Sequence, residues 1–577
     1  MEQGPDDGRR ATGEEKGDSG RANAIGVNDS VTGSFLAFHP TPDARRPTIS
    51  IHHPRSIILA CSLLWALCYP PFPLGLLGFV VLAPAFLATT GLTARGAFGA
   101  WFLAGLAYNA AMYWWIWHVM KVGPVFVVGF GLVLLIAFLS LFNGLLGLAF
   151  HAATTARGRG RVFLLALYPV AWGGLEAVRA FGEMSFPWNN LAYALGDWPV
   201  LFQSVSLWGV YGLSALMVAA NLLVFEALRR GLPAARPLWF AAAGIPVLLL
   251  AHGAVTLGRA GQPQGTPGDG VDRIDISLVQ PAIPQTRKWN EQYFNEVMAK
   301  TFRTMAGPRG DLAPVRGADL IVLAETAVPD FLRMRDELAD SLRAVAESAG
   351  SPLLVGALDF VSDRRPWSDY RFYNSAFLFD PRAAGDSQAA PPLQYSKLRL
   401  VPFSEKLPFD GIFPVINYVN LGEGDFSPGD GHRVWRSGGV PWAPSICYEV
   451  IYPSFARDAR AAGSRLLVNI TNDGWFGRSN GPYQHANISR FRAAENGMPV
   501  ARCANGGVSV FFDAWGRDLG RTALLDSTVL RRTVPVPDRA TLYTRAGGVI
   551  DGFFVTALGL WIASVLALRR LSPRISG

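Results

Sequence analysis

Three residues of this 577-residue chain have the chemistry of an activated thiol: Glu325, Lys397 and Cys447. Each comes at the end of, or directly after, a short apolar run of the kind that forms a buried strand. A cysteine attacks carbon as its thiolate, so it needs a neighbouring cation and a group that takes up its proton. Catalytic groups of open α/β sheets lie at strand ends, so these side chains are expected to meet. Together they predict a site that forms and resolves thioesters or thioimidates.

Charge suggests a role for each member of this set. Lys397 beside Cys447 favours the thiolate and can later stabilise an oxyanion. Glu325, partly desolvated, can accept the thiol proton, return it to a leaving group and then activate a second nucleophile. Backbone N–H groups just after Cys447 are expected to complete the oxyanion site. Glu405 and Glu449 lie close by in the sequence and strengthen the prediction.

Other chemistries have weaker support in the sequence. His485 lies near Asp473, but a lone histidine of this kind is more often structural than a metal ligand. The chain has no CxxC or Cys/His ligand spacing and no G-x-S-x-G elbow, so neither a metal site nor a serine hydrolase is predicted. A Cys447–Cys503 disulfide is the structural alternative in an oxidising compartment. The net charge of +8 comes with arginines at the ends of apolar runs, not with a basic stripe typical of nucleic-acid binding.

Apolar segments dominate the chain outside the region that holds these residues. Residues 1–54 are rich in Gly, Asp, Arg, Ser and Thr and are predicted to be a disordered cytosolic tail. Residues 55–258 contain seven apolar segments and residues 547–570 form an eighth, each near the ~20 residues that cross a bilayer. This predicts a polytopic α-helical membrane domain of about eight transmembrane helices. The first two segments flank the proline-rich stretch Tyr69–Pro73 and could instead form a re-entrant pair.

Arginines indicate how these helices are oriented. They cluster on alternate loops, which the positive-inside rule places in the cytoplasm. An odd number of crossings then puts residues 270–540 on the outer side of the membrane, which for the inner membrane of a bacterium is the periplasm. The opposite loops carry Tyr113–Trp117, Pro187–Asn190 and Trp198. Such aromatic residues are typical of the headgroup interface, or alternatively of a surface that handles lipid.

Residues 270–540 have the pattern of a globular α/β domain. Short apolar runs alternate with amphipathic stretches at about 289–305, 331–349 and 481–497. The runs have the length of buried strands and the stretches have the length of helices. An α/β domain with a largely buried sheet is therefore predicted.

Three segments of this domain resemble the catalytic motifs of the nitrilase superfamily: Leu320–Ala327, Tyr395–Glu405 and Ser445–Glu449. Two further stretches, Asn472–Gly477 and Gly481–His485, and the flanking apolar helices extend the resemblance over residues 56 to 570. Over that range the chain is similar to the membrane branch of the superfamily, the bacterial apolipoprotein N-acyltransferases. One departure is that the family often has Trp-Pro before the general base, where this chain has Leu323-Ala324.

The resemblance implies an αββα sandwich in which Glu325 is the general base, Lys397 the second catalytic residue and Cys447 the nucleophile. It also implies four supporting or substrate-binding residues: Glu405, Tyr448, Glu449 and Trp289. The first would support the triad, the next two would line the site, and the last would belong to a mobile arm that helps to admit substrate. No metal and no cofactor are implied.

The implied reaction is acyl transfer in two steps. An acyl chain of a phospholipid passes to Cys447 as a thioester, and then to the N-terminal amine of the S-diacylglyceryl cysteine of an apolipoprotein. Both substrates are anchored in lipid, which explains why the enzyme would be bound to a membrane. Two alternatives stay open: a membrane-tethered amidase or nitrilase that hydrolyses a small C–N substrate, and a transporter or scaffold whose outer domain has lost catalysis.

Overall fold

The computed structural model of the protein describes residues 37–39, 48–50, 52–121, 125–231, 234–262, 270–362, 370–381, 391–409, 412 and 426–571. Within the predicted tail it contains two short antiparallel strands, β1 (Ala37–His39) and β2 (Thr48–Ser50). The prediction of disorder for most of residues 1–54 lies outside the described residues. The first helix begins at Pro54.

Helices occupy each of the apolar segments that the sequence predicts. Before the α/β domain they are α1 (Pro54–Ala66), α2 (Ala83–Thr89), α3 (Ala94–Tyr113), α4 (Val125–Thr155), α5 (Gly158–Val178), α6 (Pro199–Phe202), α7 (Val205–Arg230) and α8 (Arg236–Ala260). Of the helices in the described residues, five are long and apolar enough to cross a membrane: α4, α5, α7, α8 and the C-terminal helix α14 (Leu542–Leu571). The α1 helix is shorter, and the second predicted segment is a 3₁₀ turn (Gly75–Phe79) followed by α2. The count of eight spans therefore stays a prediction.

Several of these helices expose apolar side chains that the rest of the protein does not cover. The exposed fraction is 92% for Phe126 on α4, 78% for Phe240 on α8 and 78% for Val549 on α14. Faces of this kind are stable in lipid and costly in water. With the apolar composition of the helices, they make this a membrane protein.

Two mixed β-sheets form the core of the α/β domain. The first sheet contains β3 (Asp272–Gln280), β4 (Leu320–Leu323), β5 (Val328–Phe331), β6 (Leu353–Ser362), β7 (Tyr370–Phe379), β8 (Leu393–Ser396) and β15 (Thr528–Val536), in the order β15-β3-β4-β6-β7-β8 with β5 beside β6. The second contains β9 (Trp435–Ser437), β10 (Val440–Ile446), β11 (Leu466–Thr471), β12 (Val500–Ala504), β13 (Val510–Phe512) and β14 (Asp518–Arg521), in the order β14-β13-β12-β11-β10-β9. Strands β10, β11 and β12 are parallel, as are β3, β4 and β6.

The two sheets pack face to face between layers of helices. The Cys503 thiol, on the second sheet, donates to the carbonyls of Val279 and Val322 on the first, each at 3.3 Å. Helices α9 (Gln285–Lys288), α10 (Phe294–Ala306) and α11 (Asp336–Ala349) follow strands of the first sheet, and α12 (Pro453–Ala461) and α13 (Gly481–Asn496) follow strands of the second. Apolar residues of α10 and α11 pack with Ile321 and Val355 on the outer face of the first sheet. This arrangement confirms the αββα sandwich.

The second sheet's helix layer rests directly on the membrane helices. Arg457 of α12 forms an ion pair with Asp551 of α14, with 2.8 Å between Nη1 and Oδ2. The α7 helix is interrupted at Gly209, whose φ of 64° leaves the Val210 N–H free to donate to the buried Glu495 carboxylate of α13 at 3.1 Å. These contacts fix the sandwich against the helix bundle.

Some of the aromatic loop residues lie at the junction between the sandwich and the helix bundle. Trp115 and Trp188 are only 5% and 3% exposed and lie 5.1 Å apart between ring centroids. The Trp115 ring also contacts Phe476 of the sandwich, with 4.2 Å between centroids. Trp117, by contrast, is 61% exposed. The headgroup interpretation therefore applies to only some of these residues, because others join the two domains.

Candidate active site

The three predicted catalytic residues lie together where strands of the two sheets end. Glu325 comes two residues after β4, Lys397 directly follows β8, and Cys447 directly follows β10. The Lys397 Nζ lies 3.4 Å from Glu325 Oε1 and 2.7 Å from Glu405 Oε1. Lys397 and Glu325 are only 1% and 6% exposed, and both charges act on the thiol of Cys447, a residue that is itself half-buried.

The Glu325 carboxylate is fixed by donors from distant parts of the chain. The Asn472 backbone N–H donates to Oε2 at 2.8 Å, and the Asn374 side-chain amide donates to Oε1 at 2.9 Å. The same Asn374 amide reaches Glu405 Oε1 at 3.0 Å, so it bridges both carboxylates. The buried Lys288 Nζ donates to the Glu325 backbone carbonyl at 3.0 Å. None of these three partners was expected from the sequence.

A glycine on the neighbouring strand allows Glu325 to lie where it does. A Cβ at Gly356 of β6 would come within 2.6 Å of the Ala324 carbonyl oxygen and the Thr326 nitrogen. It would also come within 2.7 Å of the Glu325 Cα. Real side-chain carbons do not approach backbone so closely, so any larger residue at position 356 must displace the turn that carries Glu325.

Cys447 lies on a sharp turn between β10 and the 3₁₀ turn Cys447–Ile451, with a φ of 51°. Non-glycine residues adopt this left-handed conformation only when their surroundings hold them there. From this turn Cys447 interacts electrostatically with both Glu325 and Lys397.

Lys397 favours the thiolate of Cys447, as expected, but burial and the Glu325 carboxylate outweigh it, so the thiol is neutral at rest. Burial and the Glu325 carboxylate raise the pKa of Cys447, and Lys397 only partly opposes them. Burial also lowers the pKa of Lys397, but Glu405 and Glu325 outweigh it, so the net pKa of Lys397 is raised and the ammonium is retained. The site therefore holds a protonated thiol beside a base, and the proton must leave as the sulfur attacks.

Comparison with known proteins identifies the family to which this chain is similar. Residues 61–223 match the model for the apolipoprotein N-acyltransferase N-terminal domain, and residues 275–541 match the carbon-nitrogen hydrolase model. An apolipoprotein N-acyltransferase of Geobacter metallireducens is 33% identical over 520 residues, which cover 89% of this chain and 94% of the relative. One of Agrobacterium fabrum is 32% identical over 452 residues, covering 75% and 80%.

The chain belongs to the apolipoprotein N-acyltransferase family. Among solved structures, an amidase from Nesterenkonia sp. matches 48% of this chain and 96% of its own, with 21% identity and a TM-score of 0.32.

In this member of the apolipoprotein N-acyltransferase family, Glu449 is part of the Cys447 turn, and its role in lining the site stays a prediction. It is fully buried, and its Oε1 accepts from the Tyr395 hydroxyl at 2.7 Å and from the Leu398 N–H at 2.5 Å. Its Oε2 accepts from the Ile446 N–H at 2.7 Å. Burial raises the pKa of Glu449 to about 7. Because Leu398 follows Lys397 and Ile446 precedes Cys447 in the sequence, this carboxylate holds two site-bearing loops together.

Tyr448 connects the site to the membrane helices. Its hydroxyl donates to the Ser185 backbone carbonyl at 2.6 Å, and its ring centroid lies 6.0 Å from that of Phe186. Ser185 and Phe186 belong to the loop between α5 and α6, which the sequence assigns to the outer side. The turn that carries Cys447 and the membrane domain are thus in direct contact.

Trp289 lies near the site on a short segment after α9. Its Nε1 donates to Gln285 Oε1 at 3.2 Å, and its ring stacks on Trp475 with 6.3 Å between centroids and 26° between planes. The side chain is half-buried. A role in admitting substrate stays a prediction.

Proposed function

We propose that the protein transfers a fatty acyl chain from a phospholipid to the N-terminal amine of the S-diacylglyceryl cysteine of apolipoproteins. The names of its relatives support this acceptor, since each is an apolipoprotein N-acyltransferase. The observation that carries the proposal is the Cys447 thiol, placed beside Glu325 and Lys397 on a turn that touches the membrane domain through Tyr448. A lipid-anchored ester can reach a thiol at such a junction without leaving the bilayer.

The first step acylates Cys447. Glu325 takes the thiol proton as the sulfur attacks the ester carbonyl carbon of the phospholipid, and a C–S bond forms. The Lys397 ammonium and the backbone N–H groups after Cys447 stabilise the negative charge on the carbonyl oxygen. The C–O bond to the glycerol then breaks, Glu325 returns the proton to the departing oxygen, and a lysophospholipid leaves.

The second step moves the acyl chain to nitrogen. The α-amine of the lipoprotein cysteine attacks the thioester carbonyl, and Glu325 accepts a proton from the attacking nitrogen. The C–S bond breaks, and the sulfur takes up that proton to restore the neutral Cys447 thiol. No cofactor is needed, because the thioester stores the energy of the original ester.

We further propose that residues 270–540 lie on the periplasmic side of the bacterial inner membrane. Arginines support this orientation, because Arg229 and Arg230 end α7 and Arg569 and Arg570 lie near the end of α14. Arg161 at the start of α5 forms an ion pair with Glu226 near the end of α7, so these basic helix ends lie together.

Intact-mass measurement after incubation with a phospholipid tests the acyl-enzyme step. We expect a mass increase of one fatty acyl chain, which hydroxylamine or a lipopeptide amine removes. Cys447→Ala should abolish the adduct, and the matched control Cys503→Ala should retain it, because the Cys503 thiol is bound between the sheets. An adduct on Cys447→Ala would contradict the mechanism. A wild-type protein that hydrolyses a small amide but forms no long-chain adduct would favour the amidase alternative.

Replacing Gly356 by alanine tests whether Glu325 must lie where the structure places it. The added Cβ would meet the backbone around Glu325 at 2.6–2.7 Å, so the carboxylate must move. We expect the rate of acyl-enzyme formation to fall by about 10²-fold, as displaced catalytic groups commonly cause. Gly99→Ala on α3 is the control, because a Cβ there meets nothing within 4 Å. An unchanged rate in Gly356→Ala would mean that strand β6 relaxes without moving the base.

A further inference from the structure

A closed ring of hydrogen bonds lies beneath the turn that carries Cys447. It runs from the Cys447 backbone carbonyl through His485, Asp473, Arg502 and Asn469 and back to the same carbonyl. The four side chains are at most 1% exposed. The ring is therefore sealed from solvent, and its members bond one another as well as Ser445 and Thr471.

One arm of the ring passes through the histidine. His485 Nε2 lies 3.2 Å from the Cys447 carbonyl oxygen, and His485 Nδ1 lies 3.0 Å from Asp473 Oδ1. Arg502 Nη2 donates to the other oxygen of Asp473 at 2.7 Å. Burial raises the pKa of Asp473, but the Arg502 guanidinium and the hydrogen bond from His485 outweigh it and bring the pKa to about 2, so the carboxylate is ionised.

The other arm follows the sheet. Asn469 on β11 and Arg502 on β12 are direct partners in a parallel register. Arg502 Nη1 donates to Asn469 Oδ1 at 2.5 Å, and Asn469 Nδ2 lies 3.5 Å from the Cys447 carbonyl. Burying two polar side chains in the middle of apolar strands costs free energy unless each of them forms hydrogen bonds. Asn469 is satisfied by Arg502, by Ser445 at 3.2–3.3 Å and by the longer contact to Cys447, and the last of these connects the pair to the turn.

The carbonyl oxygen that His485 and Asn469 both contact belongs to Cys447, whose backbone is strained. Cys447 has a φ of 51°, which persists only if its surroundings fix it. Glu449 fixes the Ser445–Ile446 peptide, one peptide further up the strand, by accepting from the Ile446 N–H. The ring fixes the peptide after Cys447, whose N–H belongs to Tyr448. Donors to a peptide carbonyl also strengthen the N–H of the same peptide as a donor.

We propose that the ring of His485, Asp473, Arg502 and Asn469 is a positioning device for the Cys447–Tyr448 peptide. It keeps the thiol aimed at Glu325 and presents the Tyr448 N–H, strengthened, to the oxyanion. The inference rests on the proposed function for its natural substrate, but its geometry applies to any ester that acylates Cys447. His485 is then a positioning residue that never touches substrate.

The histidine contributes most when both of its nitrogens donate. Its two contacts are to a carboxylate and a carbonyl, and each needs an N–H. Burial and Arg502 lower the pKa of His485 and outweigh Asp473 and the Cys447 carbonyl, which raise it, so the net pKa is lowered. Loss of the second proton would give up the contact to Cys447, since the carboxylate retains the Nδ1 proton more strongly. A dependence of the acylation rate on the charge of His485 follows.

Two variants of His485 separate positioning from folding. Glutamine places an amide N–H near the position of Nε2, whereas phenylalanine keeps the ring shape and donates nothing. The probe is a p-nitrophenyl ester, whose burst of p-nitrophenolate reports acylation of Cys447 without any phospholipid. We expect His485→Phe to lower the burst rate by about 10²-fold, as loss of an oxyanion donor does, with little change in KM. His485→Gln should recover to within about tenfold of wild type and should lack only the part of the pH dependence that comes from the charge of His485.

Thermal unfolding of the detergent-solubilised full chain supplies the control. Both variants lose the Asp473 contact, so similar unfolding temperatures with different burst rates support positioning. A burst rate for His485→Phe near that of wild type would overturn the proposal, as would equally slow Gln and Phe variants. Because the ester probe needs no phospholipid, failure of the wild type to form a long-chain adduct would count against the proposed function alone.

Discussion

Glu325→Gln is expected to slow acylation of Cys447 by about 10³-fold, within the range found for loss of a general base. The reason is the resting state of the site, where a neutral thiol must lose its proton as it attacks. Glutamine cannot accept that proton. It also places an NH₂ group against either the Asn472 N–H or the Lys397 and Asn374 donors, which costs about 1–3 kcal/mol of stability.

The same variant should make the thiol easier to ionise. The Glu325 charge raises the pKa of Cys447, so its removal lowers that pKa toward the ordinary range. Alkylation of Cys447 by iodoacetamide should therefore begin at lower pH in Glu325→Gln than in wild type, while acyl transfer falls. Opposite changes in the two rates distinguish a lost base from a damaged site.

Burst kinetics with a p-nitrophenyl ester and alkylation followed by mass spectrometry measure the two rates. Glu347→Gln, the same change on the exposed face of α11, is the control and should match wild type in both. Acylation by Glu325→Gln within about tenfold of wild type would remove the general-base role from this residue.

Much of the site could be predicted because its residues stand at the ends of apolar runs that form strands. Glu325, Lys397 and Cys447 each end an apolar run, and residues at strand ends on facing sheets meet without any further information. Glu405 reaches the same place because it is only eight residues from Lys397 along one loop. Local order along the chain was sufficient for these four.

Contacts set by the packing of distant segments could not be predicted in this way. Asn374 is 49 residues from Glu325 and looks like one polar residue in the middle of strand β7. The Asn472 N–H is 147 residues from Glu325 and has no side-chain signal at all. The neutral state of Cys447 depends on desolvation, which only the folded protein reveals. His485 was interpreted as structural, and only the closed ring connects it to the nucleophile.

In the membrane domain, too, some features could be predicted from the sequence and others depend on packing. Composition located its helices, because a run of apolar residues needs no partner to be recognised. It did not separate headgroup tryptophans from junction tryptophans, since Trp188 and Trp117 have the same chemistry. Their exposures of 3% and 61% come from the sandwich that covers one and not the other.

Lys397→Met is expected to destabilise the protein by about 3–5 kcal/mol, the usual result of removing one partner of a buried charge pair. Glu325 and Glu405 both contact Lys397 and share the Asn374 amide, and their side chains are only 8% and 12% exposed. Without the ammonium, two carboxylates repel each other in a site with little water. Acylation should fall by about 10³-fold or more, since the oxyanion also loses its cation.

The stability deficit of Lys397→Met should depend on pH, and the direction of that dependence follows from proton binding. Repulsion raises the pKa of one carboxylate of the pair in the folded Lys397→Met protein above its unfolded value. The folded state then binds more protons than the unfolded state, so the variant gains stability, relative to wild type, as the pH falls through that raised pKa. Thermal unfolding in detergent should therefore show a deficit that is largest at mildly alkaline pH and shrinks at mildly acidic pH.

A double variant separates the two roles of Lys397. Lys397→Met with Glu405→Gln removes one charge of each sign, so the repulsion with Glu325 disappears and most of the unfolding temperature should return at mildly alkaline pH. Acylation should stay low, because neither change restores a cation beside the oxyanion. Recovery of the acylation rate together with stability would mean that Lys397 acts only by neutralising the carboxylates. A Lys397→Met protein as stable as wild type at alkaline pH would mean that water or another cation already compensates the charges of Glu325 and Glu405.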